Sequence, residues 1–197
     1  MFKQDRKLNI SDNYLSPGFA FGGSCLPKDV RALAYHARNF DVSVPILESI
    51  NSSNRQHIDF GIDLIRRLGH KEIGIFGFAF KAGTDDLRES PMVELIEHLL
   101  GKGYRLKIFD RSVNVAFLRG ANRRLLMDKI PHIADLMVDS PSELFEHGKA
   151  IVIGNAAREL AEIPSEYWAG KDVVDLADAL DKQMIPFLAS YTGPGWR

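Results

Sequence analysis

The chain has 197 residues, 45% hydrophobic and 26% charged, with 25 basic against 26 acidic side chains and a formal net charge of -1. That length holds one or two domains, the apolar share argues against charge-driven disorder, and the balanced charge gives no electrostatic footprint for nucleic acid or anionic lipid. No apolar run reaches the ~18 residues that span a bilayer, no basic-then-apolar signal opens the chain, and one cysteine excludes an internal disulfide or a thiolate-cluster metal site. The expectation is a soluble, cytoplasmic α/β protein with no metal.

Residues 1–12 read as the end of a helix followed by polar chain, with Met1 and Phe2 the only large apolar residues among the first seven. A helix end with so little to bury is expected to start inside a larger protein. Residues 13–29, NYLSPGFAFGGSCLPKD, carry glycines and prolines too densely for a helix or strand. They predict an ordered loop carrying a site. From Asp29 the pattern is helical, with Val30, Leu33, Ala34 and Ala37 on one face; Pro27 suits the first turn, where its missing N–H costs nothing. A second, long helix is predicted from Pro45 to Leu68, closed by Gly69 in a left-handed cap. Its apolar stripe is interrupted by the polar run Asn51 to Asn54. Its length and partly apolar face suit an interdomain strut or a dimer seam.

The pattern changes after Gly69. Short apolar runs at 72–78, 105–109, 150–154 and 172–176 predict buried parallel strands. Helical patterns fall between them: Pro91 to Leu100, pieces near Val113–Leu118 and Asn122–Lys129, and a short helix capped by Ser140 with Glu143 three residues on. Strands alternating with helices define a parallel sheet covered on both faces. The domain boundary is placed at Gly69, with 1–68 a helical segment carrying the cysteine loop and 69–197 a Rossmann-like domain.

Such a sheet suggests nucleotide binding, yet the fingerprint G-x-G-x-x-G is absent, as is G-x-x-x-x-G-K-[ST]. Much of any dinucleotide site is therefore expected elsewhere. The chemistry concentrates in two loops. In the first, Cys25 precedes a helix N-terminus, whose partial positive charge favours a thiolate, and Lys28 can add a full charge. Gly22 and Gly23 permit close approach to the backbone. Asp29 is placed to hold or activate a water. Together they suit covalent catalysis through a thiohemiacetal or thioester. The competing reading of Cys25 is a small buried apolar residue.

The second loop, FKAGTDDLRESP from Phe80 to Pro91, follows the first strand, where ligands of open parallel sheets bind. Lys81 and Arg88 suit phosphates; Asp85, Asp86 and Glu89 suit ribose hydroxyls or the positioning of cations, or else form a solvated charged loop of weak ion pairs. Asp110, ending the second strand, is placed for ribose hydroxyls. The six histidines are scattered, and no pair has the i, i+4 spacing of a helical zinc site. Trp168 and Trp196 are read as packing.

PGFAFGGSCLPKDVRAL (17–33) and FKAGTDDLRESP (80–91), in this order and separated by a long helix, resemble the nucleotide-sugar 6-dehydrogenases. The wording is nearest the GDP-mannose branch of that family and extends over nearly the whole chain, covering the C-terminal half of such an enzyme. The resemblance implies oxidation of a sugar-nucleotide primary alcohol to a carboxylate by two hydride transfers to NAD, through a thioester on Cys25. It assigns Asp29 to the hydrolytic water, Lys28 and Arg88 to the cofactor, Lys81 to substrate, and Tyr14, Phe19 and Gly22 to the wall of the sugar-nucleotide pocket. It implies a homodimer through the long helix. The family's N-terminal NAD-binding domain is not found in the sequence, so the chain alone is expected to be inactive.

Ser16 stands where GDP-mannose relatives often carry arginine, which leaves the exact substrate open. The alternatives are a UDP-sugar enzyme, a non-catalytic nucleotide-sugar-binding or dimerisation module, and an unrelated thiol hydrolase, which would need a base such as His36 near Cys25.

Overall fold

The computed structural model describes Lys7, residues 18–113 and residues 120–194, with backbone alone at 121, 122 and 125. Tyr14, Ser16, Trp196 and most of the helical piece expected at 113–118 lie outside the described residues.

The first two elements are an α-helical hairpin, α1 (Leu26–Asn39) and α2 (Pro45–Arg67). Each starts on a proline in its first turn, and α2 ends at Gly69 with φ +74°. A left-handed residue there ends the helix without a Cβ penalty. The predicted apolar stripes are only partly used. On α1, Ala34 is buried while Leu33 is 54% exposed; on α2, Ile58, Ile62 and Ile65 are buried while Ile46 is 79% exposed. The buried residues of α2 all fall in its C-terminal half, the part that packs on the sheet layer.

Five strands follow: β1 (Glu72–Phe76), β2 (Arg105–Phe109), β3 (Ala150–Ile153), β4 (Asp172–Asp175) and β5 (Ser190–Thr192). All neighbours are parallel, in the order β2-β1-β3-β4-β5. The period-two alternation of side chains splits the core into two layers. Ile73, Ile75, Leu106, Ile108, Val152 and Val174 face α2, α3 (Pro91–Gly101) and α4 (Gly120–Lys129). Phe76, Phe109, Ile151, Ile153 and Val173 face α6 (Pro141–His147) and α7 (Ser165–Trp168). Trp168 is fully buried on that second face, edge-to-face with Phe145 at 4.8 Å. Both faces are covered, as an all-parallel sheet requires.

The Ser140 cap forms as predicted: its Oγ accepts from the Glu143 N–H at 3.3 Å and donates to the Glu143 carboxylate at 2.9 Å. The short helices α5 (Ile133–Leu136) and α7, the 3₁₀ turns at Arg158–Glu162 and Lys182–Phe187, and edge strand β5 were not signalled by periodicity. Runs this short complete too little of a period to register. Among the described residues no helix is long and apolar enough to cross a membrane.

Candidate active site at the cysteine loop

The order β2-β1-β3 makes β1 and β3 the strands at which the chain reverses direction across the sheet, where open sheets form their binding crevice. Beyond β1 the backbone is held by side-chain hydrogen bonds. Asp110, at the end of β2, accepts from the Phe78 and Ala79 N–H groups at 2.9 and 3.0 Å and from Ser112 N–H at 3.0 Å. Its carboxylate thus anchors the strand-end loop. Ser90, buried, donates from Oγ to the Phe78 carbonyl at 3.0 Å, and Asn155 donates from Nδ2 to the Ala79 carbonyl at 3.3 Å. From this anchored base the second loop closes on itself, Phe80 N–H to Asp86 carbonyl at 2.9 Å and Thr84 Oγ1 to Lys81 carbonyl at 2.7 Å. The Lys81 side chain is exposed.

The cysteine loop lies directly on this second loop. Gly23 N–H donates to the Arg88 carbonyl at 3.1 Å. Gly22 has to be glycine, because a Cβ there would sit 2.1 Å from the Glu89 carbonyl oxygen. Gly23 has φ +84°, and a Cβ on it would strike the Phe80 ring at 2.7 Å. The two motifs that share no sequence neighbourhood are therefore packed backbone to backbone. Arg31, one turn into α1, adds a two-point ion pair to Glu89 at 3.0 and 2.7 Å. Glu89 itself has φ +48°, an uncommon conformation for a residue with a side chain. Sequence reasoning gave Arg31 no role; its partner is 58 residues away.

Cys25 is the N-cap residue of α1, makes no side-chain cap, and is exposed. That excludes the reading of a small residue in the core. Its Sγ lies 3.7 Å from Ser24 Oγ, and its carbonyl accepts the Asp29 N–H at 2.9 Å. Lys28 and Asp29 are exposed neighbours, Nζ to Oδ1 3.8 Å. Arg88 is gripped by Asp86 at both oxygens, each 2.9 Å away. That hydrogen bonding raises the arginine pKa, with smaller upward contributions from the charges of Asp86, Cys25 and Asp85. The same contact holds the Asp86 carboxyl below its ordinary value. Hydrogen bonding to Arg31 likewise lowers Glu89.

Of the expected site residues, Cys25, Lys28, Asp29, Gly22 and Arg88 are brought together. Phe19 packs inward: its ring fills the space at Gly61 of α2, where a Cβ would be 2.7 Å away, and it rests on the core. Among the described residues no three His, Cys, Asp or Glu side chains are grouped as a metal would need.

An exposed cysteine at a helix start, in a loop laid across the strand-end loop of a doubly wound parallel sheet, defines an α/β protein of the nucleotide-binding class with an accessible thiol. Two family descriptions match it: the UDP-glucose/GDP-mannose dehydrogenase family UDP binding domain over residues 74–182, and the central domain of the same family over 1–56. The chain belongs to the UDP-glucose/GDP-mannose dehydrogenase family. It is 49% identical over 173 residues to the GDP-mannose 6-dehydrogenase of Pseudomonas aeruginosa, covering 88% of this chain and 40% of that protein. To the UDP-glucose 6-dehydrogenase of Rickettsia felis it is 33% identical over 188 residues, covering 89% and 39%. A ternary complex of the Pseudomonas aeruginosa GDP-mannose dehydrogenase superposes with a TM-score of 0.78 at 44% identity, over 96% of this chain and 43% of that one. A UDP-glucose dehydrogenase from Pyrobaculum islandicum superposes with 0.79 at 26% identity, over 100% and 43%. The chain spans about 40% of the length of the curated relatives it matches.

Proposed function

We propose that this chain supplies the thiol-bearing and nucleotide-sugar-binding part of an NAD-dependent GDP-mannose 6-dehydrogenase, with 1–68 a central helical segment and 69–197 the sugar-nucleotide domain. The observation that carries the reading is the exposed Cys25 held against the strand-end loop by the Gly23–Arg88 hydrogen bond.

In this reading Lys81, exposed beyond β1, meets the charged part of the sugar nucleotide, with Gly22 and Tyr14 in the pocket wall. Phe19 supports that wall from beneath. Cys25 Sγ, as thiolate, adds to the C6 aldehyde carbon, and the former carbonyl oxygen takes up a proton. Once the adduct is oxidised to the thioester, a water held by the Asp29 carboxylate attacks the acyl carbon. The C–S bond breaks, the product leaves as carboxylate, and Cys25 is regenerated.

NAD, when bound, accepts the electrons of both oxidations. The donor set fits its pyrophosphate. Lys28 and Arg88 are exposed cations flanking Cys25, and of the five N–H donors of a guanidinium the contacts to Asp86 use those on Nε and Nη2. The homodimer is assigned to the hairpin, where Phe40 and Ile46 are 77% and 79% exposed.

Calorimetry on the chain tests the substrate directly: GDP-mannose is expected to bind more tightly than UDP-glucose. Equal or reversed affinities would move the assignment to a UDP-sugar, and no binding of either would sink it. Combined with the NAD-binding part of a relative, the chain is expected to turn over, and its one cysteine should carry the acyl group by intact mass. Turnover that survives Cys25→Ala would remove the covalent mechanism.

A further inference from the structure

The polar run Asn51 to Asn54, which breaks the apolar stripe of α2, has no part in the chemistry above. The structure shows what one of its members does. Asn54 Oδ1 accepts the Phe21 N–H at 2.8 Å, and Asn54 Nδ2 donates to the Phe21 carbonyl at 2.8 Å. One side-chain amide thus pairs with both backbone groups of one loop residue, as a neighbouring strand would. Phe21 immediately precedes the Gly22–Gly23 pair that packs on Glu89 and Phe80.

Packing alone does not fix this point of the loop. A cavity of about 350 Å³ lies beside it, between the loop, α2 and the start of α3, lined in part by Phe21, Asn51, Asn54, Ile58 and Pro91. Where side chains leave open space, position is set by directional bonds, and a backbone N–H and C=O placed there need partners. Asn54 provides both.

We propose that Asn54 is a positioning residue: its amide clamps the Phe21 backbone and so holds the Cys25 loop in register on the Lys81–Arg88 loop. The clamp is a property of this chain. Its catalytic consequence rests on the proposed dehydrogenase function.

Residue-resolved hydrogen exchange on the full chain is the test. Asn54→Ala is expected to speed exchange at the Phe21 and Gly23 amides by about tenfold or more, with the Ile75 and Val152 amides of the sheet unchanged. Ser52→Ala is the control, because that hydroxyl donates within its own helix to the Ser49 carbonyl at 2.8 Å; the loop amides should not respond. Asn54→Asp keeps the shape and changes the hydrogen bonding. Its ionised carboxylate still accepts from Phe21 N–H but opposes the Phe21 carbonyl, whereas the neutral acid restores a donor. Protection of the loop is therefore expected to be weakened at neutral pH and regained as pH falls through that carboxyl's pKa. A side chain acting by bulk would give no such recovery. Unchanged protection in Asn54→Ala, or pH-independent protection in Asn54→Asp, overturns the clamp.

In the assembled enzyme, Asn54→Ala should lower kcat by about tenfold or more, since small misplacements of reacting groups are costly. Wild-type turnover matched by Asn54→Ala would overturn the positioning role. Loss of loop protection in Asn54→Ala, in a chain whose wild type never turns over, would keep the clamp and reject the dehydrogenase reading.

Discussion

The helical hairpin and the sheet domain are built to different standards. In the sheet domain the central strands are closed to solvent, with Ile73, Ile75, Ile151, Val152 and Ile153 all at 0% exposure. In the hairpin Leu26, Leu33, Tyr35, Phe40, Val42 and Ile46 are more than half exposed. The sheet domain makes one core layer by itself and the other together with α2. The hairpin leans on it through Ile58, Ile62 and Ile65, and is tied to it by Arg31–Glu89 and by the Arg55–Glu94 ion pair, while Asn54 ties the cysteine loop to α2. Cys25 belongs to the less self-sufficient of the two. Its geometry is thus set by a few long-range polar links, in the part of a fold where local opening is cheapest.

That contrast can be broken in measurable ways. The largest effect is chemical: Cys25→Ser should lower turnover of the assembled enzyme by about a thousandfold or more, with the unfolding midpoint unmoved because the side chain is exposed. Next comes the same residue type in the two regions. Leu95→Ala, at 0% exposure, should cost about 3 kcal/mol in denaturant unfolding. Leu33→Ala on the hairpin should stay within about 0.5 kcal/mol, and equal losses at both positions would contradict the contrast. Gly22→Ala, which drives a methyl group into the Glu89 carbonyl, should cost about 2 kcal/mol and release the Gly23 amide to exchange.

A smaller effect is expected from pH. Hydrogen bonding to Arg31 holds Glu89 below the usual glutamate value in the folded chain, so its contribution is full above the unfolded pKa and is lost as pH falls through the depressed folded one. The pair is exposed, at 54% and 41%, which limits that contribution to about 1 kcal/mol or less. Glu89→Gln should flatten the corresponding part of the acid unfolding curve. Smallest in stability are Phe40→Ser and Ile46→Ser, expected within about 0.5 kcal/mol yet shifting sedimentation toward monomer. Unchanged sedimentation would take the hairpin out of the dimer assignment.

Four of the five strands, α3, the Ser140 cap and the Gly69 stop were legible because each rests on local periodicity or on one residue's backbone preference. The two loops stood out from their glycines, their thiol and their cations, and the structure packs one on the other. Asp110 has a part that its place at a strand end did not show: one oxygen holds the Phe78 and Ala79 N–H groups beyond β1 and the other the Ser112 N–H of its own loop. Phe19 sits beneath the loop because Gly61, 42 positions on in the numbering, leaves room for its ring.

By itself the sequence determined the alternation of strands and helices, and which two loops carry the thiol, the glycines and the clustered charges. Those are consequences of spacing along the chain. Only the tertiary structure decided that Gly22 and Gly23 lie on the Arg88–Pro91 backbone, and that Asn54 and Arg31 are the residues that keep the loop there. Their partners are 33 and 58 residues distant, and no local pattern selects between polar side chains until folding has brought one of them within reach of an unpaired backbone group or charge.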